Sequence, residues 1–184
     1  MDGIKEENNF IDELISAEAK KTNKELVLLI GSRYLEHKDK SRLFFNGFCN
    51  LEKLEIAADL DVESVIFDEK SAKLLKGFSL RNGKIKSLKS ILDSISSAKD
   101  IEFIDLRDNN IEVKSLEGLN NLINSYKSEG FFKSLKTLNL SNLKEDFYGD
   151  DKTCSNFMSF VPNKGELGGC IKVSDCKVFL GKLI

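Results

Sequence analysis

Residues 101–111 read Ile101-Glu102-Phe103-Ile104-Asp105-Leu106-Arg107-Asp108-Asn109-Asn110-Ile111. Apolar side chains fall at relative positions 1, 4, 6 and 11, and an asparagine stands at 9. A half-buried strand alternates with a period of about two, and a helix repeats about every 3.6 residues. This stretch sustains neither period. It suits a chain that stays extended long enough to turn Ile104 and Leu106 inward and then bends sharply. An asparagine at such a bend has both donors and acceptors for main-chain groups that would otherwise be buried and unpaired.

The frame recurs. Leu75, Phe78, Leu80 and Ile85 fit positions 1, 4, 6 and 11, with Gly83 at position 9. Leu51, Leu54 and Ile56 fit the first three positions, with Asp59 at 9, and Leu135, Leu138 and Leu140 do the same, with Leu143 at 9. The frames start at 51, 75, 101 and 135, so they lie 24, 26 and 34 residues apart. This pattern resembles the strand-and-turn segment of a leucine-rich repeat, whose period is roughly 20–29 residues; the longer spacing implies an insertion. The strand–turn–helix rhythm is similar to the ribonuclease-inhibitor-like branch of that superfamily. Cys49-Asn50-Leu51-Glu52-Lys53-Leu54-Glu55-Ile56 resembles the cysteine-containing repeats of some F-box adaptors. The resemblance spans about residues 45–145. It implies an α/β fold, a short leucine-rich-repeat solenoid with a parallel sheet on its concave face and helices on its convex face. One such unit cannot bury its own apolar side, but a stack of them can.

The segments between strands supply the return path. Leu88, Ile91, Leu92 and Ile95 lie on one helical face with Ser87 as N-cap, and Leu116, Leu119, Leu122, Ile123 and Tyr126 repeat the arrangement after Ser115. Gly130 marks the stop of the second helix. Residues 60–73 are too short for a long helix and predict an irregular turn. Asn9 is the expected cap of a helix over 10–21, whose Phe10, Ile11, Leu14 and Ile15 make an apolar stripe. Leu26–Ile30 predicts a further strand, with Leu26 at position 1 of a degenerate repeat. Residues 36–43 read as solvated, Phe44, Phe45 and Phe48 as core, 144–156 as a long loop, and Val173, Cys176 and Val178 as positions 1, 4 and 6 of a last strand. The expected organisation is one domain over 1–184: an N-terminal helical cap over 1–24, repeats over 25–143, and a C-terminal loop and cap over 144–184.

Bulk properties narrow the function. The chain has 184 residues, 28 Lys+Arg against 30 Asp+Glu, and a formal charge of -2, which argues against a nucleic-acid binder outside a larger assembly. The start is acidic and polar, with no secretory signal, and no apolar run reaches the roughly 18 residues a membrane helix needs. The expectation is an intracellular protein, cytoplasmic or nuclear, with no membrane partner. Cys49, Cys154, Cys170 and Cys176 form no C-x-x-C pair and read as reduced, partly buried thiols. Asp146, Asp150 and Asp151 lack calcium-loop spacing, Asn163–Gly169 lacks the Gly-Lys-Ser/Thr end of a phosphate loop, and the single His37 has no nucleophile pattern beside it. No catalytic residue, metal ligand or cofactor is assigned, and the chain reads as a non-enzyme.

What remains is the surface that stacking builds. Side chains at positions 3, 5, 7 and 8 face away from the buried set and form columns across the strands. Lys53, Gly77, Phe103 and Thr137 share position 3; Glu55, Ser79, Asp105 and Asn139 share position 5; Arg81 and Arg107 share position 7. Lys53, Glu55, Arg81, Phe103, Asp105, Arg107 and Asn139 are therefore the candidate binding residues on the concave face. Phe103 is a partner anchor in one view and inter-repeat filler over Gly77 in the other. Arg81 and Arg107 either clamp an acidic peptide or form an ion-pair ladder with their neighbours. The expected partner is another protein, which the chain serves as adaptor, inhibitor or assembly factor. The rival reading is a subunit of a ribonucleoprotein or ribosome-associated assembly, using the basic run 84–89. A third places an active site in 144–184.

Overall fold

The computed structural model describes residues 10–30, 42–58, 62, 64–68, 70–112, 116–140, 168–173 and 176–181. It has mixed α/β content. Two short helices, α1 (Phe10–Leu14) and α2 (Ala17–Thr22), precede strand β1 (Glu25–Ile30). Then come β2 (Arg42–Phe45), β3 (Lys53–Ala58), β4 (Ser64–Phe67), β5 (Gly77–Arg81) and α3 (Leu88–Ser94). The remaining elements are β6 (Phe103–Asp105), α4 (Leu116–Ser128), β7 (Thr137–Asn139), β8 (Gly168–Val173) and β9 (Cys176–Gly181).

The main sheet has seven strands in the order β1-β3-β5-β6-β7-β9-β8, and every neighbouring pair is parallel except β8 with β9. Its register is the one the sequence frame demands. Leu54 pairs with Phe78, Phe78 with Ile104, and Ile104 with Leu138. These position-4 side chains are fully buried, as are Ile56, Leu80, Leu106 and Leu140 at position 6. Each contributes on the order of 1.5–3 kcal/mol relative to exposure. A connecting ladder precedes the strands. The carbonyl of each position-2 residue accepts two N–H groups from the next strand: Lys24 from Glu52 and Lys53, Glu52 from Lys76 and Gly77, Lys76 from Glu102 and Phe103, Glu102 from Lys136 and Thr137.

The bend after each strand has its own chemistry. Position 8 is left-handed at both Asn82 (φ 56°) and Asp108 (φ 61°), residue types that tolerate that conformation. Asn109 then satisfies two bends at once. Its Oδ1 accepts the N–H groups of Gly83 and Ile85 at 2.9 and 3.2 Å, while its Nδ2 donates to the carbonyls of Leu80 and Leu106 at 2.7 and 2.8 Å. Gly83 stands where an asparagine is expected because the neighbour's asparagine occupies the space. A Cβ at Gly83 would lie 3.3 Å from both Asn109 Oδ1 and Leu80 Cδ1.

The opposite layer differs along the chain. Helices α3 and α4 cover the later strands. Ser87 caps α3 by accepting the Ser90 N–H at 3.2 Å, and Gly130 (φ 93°) ends the α4 region. Ser115 lies outside the described residues. Over the earlier strands the return segments are strands instead of helices or an irregular turn: β2 and β4 form a separate parallel pair, with Leu43 against Val65 and Phe45 against Phe67. The cause is side-chain character. Arg42–Phe45 and Ser64–Phe67 are short and rich in aromatic and β-branched residues, which favour extended chain. Phe45 and Phe67 stack at 5.3 Å between centroids, and Phe45 and Phe48 are fully buried.

Five further expectations shift. The helix over 10–21 is broken, because Ser16 is extended and its hydroxyl accepts the Ala19 N–H, starting α2 afresh; Leu14 is exposed. Strand β1 pairs Glu25 with Lys53, so Leu26 takes position 4 and Leu28 position 6, three residues from the expected frame. Strand β9 pairs Val178 with Leu138, which puts Val178 at position 4 and not 6. Gly168 and Gly169, expected in a turn, open β8. Cys49 is a free thiol, exposed and not partly buried. Asn9, His37, Asp59, Leu143, 144–156, Cys154 and Asn163–Leu167 lie outside the described residues.

Candidate protein-binding face

Strand alternation that buries positions 4 and 6 sends positions 3, 5 and 7 to the other side of the sheet. The pairing places these columns side by side: Lys53, Gly77, Phe103 and Thr137 in one row, Glu55, Ser79, Asp105 and Asn139 in the next. A hollow of about 680 Å³ opens on this face. Lys53, Glu55, Arg81, Phe103, Asp105 and Arg107 all line it; Asn139 does not, and is half-buried on β7. Gly77 and Ser79 also line it, together with charged residues at the strand starts.

Phe103 is 38% exposed, a large apolar side chain left partly in water at the middle of the sheet. The atom nearest a Cβ built on Gly77 is Lys53 Cγ, at 3.5 Å, and no Phe103 atom lies within 4 Å of that point. Asp105 departs from expectation. Placed in an outward column, it is nonetheless only 2% exposed. Arg107 closes over it, donating from Nε to Oδ2 at 2.9 Å and from Nη2 to the same oxygen at 2.6 Å, while Asp105 Oδ1 also accepts the Arg107 backbone N–H at 3.2 Å. Asp105 is thus committed to holding Arg107. The carboxylate in turn raises the Arg107 guanidinium above its ordinary pKa.

The other arginine is less engaged. Glu55 faces both Lys53, at 2.7 Å, and Arg81 Nη2, at 3.5 Å. The Lys53 hydrogen bond is the main cause that holds the Glu55 carboxyl below its usual value. Arg81 Nε and Ser79 Oγ are both shut off from water and have no hydrogen-bond partner. The face is therefore an internally paired array, close to the ion-pair ladder foreseen as the alternative to a peptide clamp, with unfilled capacity concentrated on β5.

One column escaped the sequence frame although the sequence contains it. Position 2 reads Lys24, Glu52, Lys76, Glu102, Lys136, alternating in sign across five strands. Glu52 is bridged by Lys76 at 2.7 Å and Lys24 at 3.1 Å, and Lys136 reaches Glu102 at 2.7 Å. Lys76 and Lys24 hold the Glu52 carboxyl below its usual range. Exposed pairs like these add little stability singly. Their alternation still favours the observed register, in which opposite charges meet.

Among the described residues, no group of three His, Cys, Asp or Glu side chains is placed to hold a metal ion, and no helix is long and apolar enough to cross a membrane. Set against known proteins, the chain matches no family model, no curated protein and no solved structure.

Proposed function

We propose that the chain is a short solenoid of the leucine-rich-repeat type that binds another protein through the open face of its sheet and catalyses no reaction. The observation that carries this reading is the split made by the register. Positions 4 and 6 supply the core, while the opposite face presents a hollow with a partly exposed Phe103 along one side, at the middle of the sheet. Hydrogen-bonded strands and paired charges fix that face before a partner arrives, which lowers the ordering cost of binding. An aromatic at the centre of a polar surface is the usual form of an energetic anchor. The basic run 84–89 offers no comparable feature for the ribonucleoprotein reading: Ile85 and Leu88 are buried, and Lys89 pairs with Asp93 at 2.7 Å.

The test changes Phe103 alone, because Arg107 is needed to hold Asp105. Tagged wild-type protein, Phe103→Ala and Phe103→Glu serve as baits in native lysate, with co-eluting proteins quantified by mass spectrometry. A hot-spot aromatic costs at least about 2 kcal/mol on truncation, so retention of a specific partner falls by roughly thirtyfold in affinity while circular dichroism stays unchanged. Equal retention by Phe103→Glu would remove the reading.

A further inference from the structure

We infer that the strip of β5 carrying Gly77 and Ser79 is a slot for one tyrosine side chain of the partner, an inference that rests on the open-face reading above. Its floor is made of the two smallest residues that line the hollow. Lys53 and Glu55 stand on β3 to one side; Phe103 and Asp105 stand on β6 to the other. The flanking backbones are two strand spacings apart, about 10 Å, which admits one ring lying at roughly 5 Å from the Phe103 ring centre.

The polar groups at the bottom select the ring's substituent. Ser79 is 4% exposed and its Oγ has no partner; Arg81 Nε, two residues on along the same strand face, is equally unpaired. Such groups cost stability until something bonds them. Arg81 Nε needs an acceptor, and Ser79 Oγ can donate or accept. A carboxylate would accept from both, but Glu55 and Asp105 flank Ser79 in the same row and oppose a third negative charge. An ammonium group would meet Arg81 and Arg107. A phenol is neutral, accepts and donates, and carries the aromatic body that Phe103 can contact. Entry requires the end of Arg81, about a third exposed, to swing aside while Arg107 stays on Asp105.

The test titrates the full chain with N-acetyl-tyrosinamide, N-acetyl-phenylalaninamide and N-acetyl-glutaminamide while amide proton–nitrogen correlation spectra are recorded. The tyrosine probe is expected to shift the signals of Gly77, Ser79 and Phe103 most. Ser79→Ala weakens it about fivefold and leaves the phenylalanine probe unchanged. Gly77→Val fills the floor and abolishes both; its Cβ meets only Lys53 Cγ at an ordinary 3.5 Å, and an unchanged circular dichroism spectrum checks that the strand accepts the two further methyls. Stationary signals, equal affinity for the tyrosine and phenylalanine probes, or shifts centred on Val27 and Leu29 would each overturn the slot. A partner retained in full by Gly77→Val and Ser79→Ala but lost by Phe103→Glu also overturns the slot while the open-face reading stands. A partner retained by Phe103→Glu removes that reading, and the slot with it.

Discussion

Replacing Asn109 by alanine removes one side chain and strands the polar groups of two successive bends. The amide N–H groups of Gly83 and Ile85 lose the Oδ1 they share, and the carbonyls of Leu80 and Leu106 lose the Nδ2. Asn109 is fully buried, so water does not replace it without opening the bend. Each stranded buried amide costs about 1–3 kcal/mol, so the two N–H groups alone cost about 2–6 kcal/mol. Domain stability is typically about 5–15 kcal/mol, so the variant sits near its limit. Asn109→Asp sharpens the test. It keeps the acceptors but sets a buried carboxylate against two carbonyls, and burial raises its pKa in the folded state. A raised folded pKa means that its favourable contribution is complete below the unfolded value of about 3.9 and is lost as pH rises through the folded value. Urea unfolding followed by far-ultraviolet circular dichroism, at neutral and mildly acidic pH, measures both. Asn109→Ala is expected to lose at least about 2 kcal/mol, and Asn109→Asp to recover in part on acidification. A loss under about 0.5 kcal/mol for Asn109→Ala refutes the claim that one asparagine serves two bends.

Arg107→Ala leaves the buried Asp105 without its guanidinium and lowers the urea midpoint by the equivalent of about 2–3 kcal/mol; the double variant Asp105→Ala with Arg107→Ala recovers most of it, and a single variant as stable as wild type contradicts the pairing. Asp68 ties the β2 and β4 segments together through Gly47 N–H at 2.8 Å and Ser71 N–H at 2.6 Å. Burial pushes its carboxyl up, but these bonds and the Ser71 hydroxyl outweigh it and hold the pKa below its ordinary value. Its contribution is therefore present above about pH 4 and lost as pH falls through the lowered folded value; Asp68→Asn flattens that part of the acid-unfolding profile, and an unchanged slope counts against the bonds. Tyr126→Phe removes the hydroxyl that donates to Asp93 and links α4 to α3, at a cost of about 1 kcal/mol read by thermal unfolding.

The part of the fold that was legible in the sequence is the part where buried positions recur at a fixed interval. Leu54, Phe78, Ile104 and Leu138 were placed on consecutive rows by spacing alone, and the pairing agrees. Strand β1 falls out of the sequence frame because Leu26-Val27-Leu28-Leu29-Ile30 is apolar throughout and contains no alternation to set a phase. The structure sets it by Glu25 pairing with Lys53, at the expense of leaving Leu29 80% exposed. The β2–β4 pair was missed because each is four residues long and their partnership spans 22 positions, beyond any local pattern. In the candidate site, the outward columns followed from strand alternation, but burial of Asp105 did not. That depends on Arg107 turning back over its own strand, a side-chain choice no spacing reveals. The charge ladder at position 2 was readable once the frame was known.

The central claim is that the side of the sheet facing away from the core is where this protein meets its partner. Site-specific photo-crosslinking in the cells that make it tests this directly, with a benzophenone side chain replacing Phe103 in one variant and Lys89, on the exposed side of α3, in another. One discrete heavier adduct is expected from position 103 and none from position 89. Adducts from 89 alone, or the same set from both positions, would contradict it.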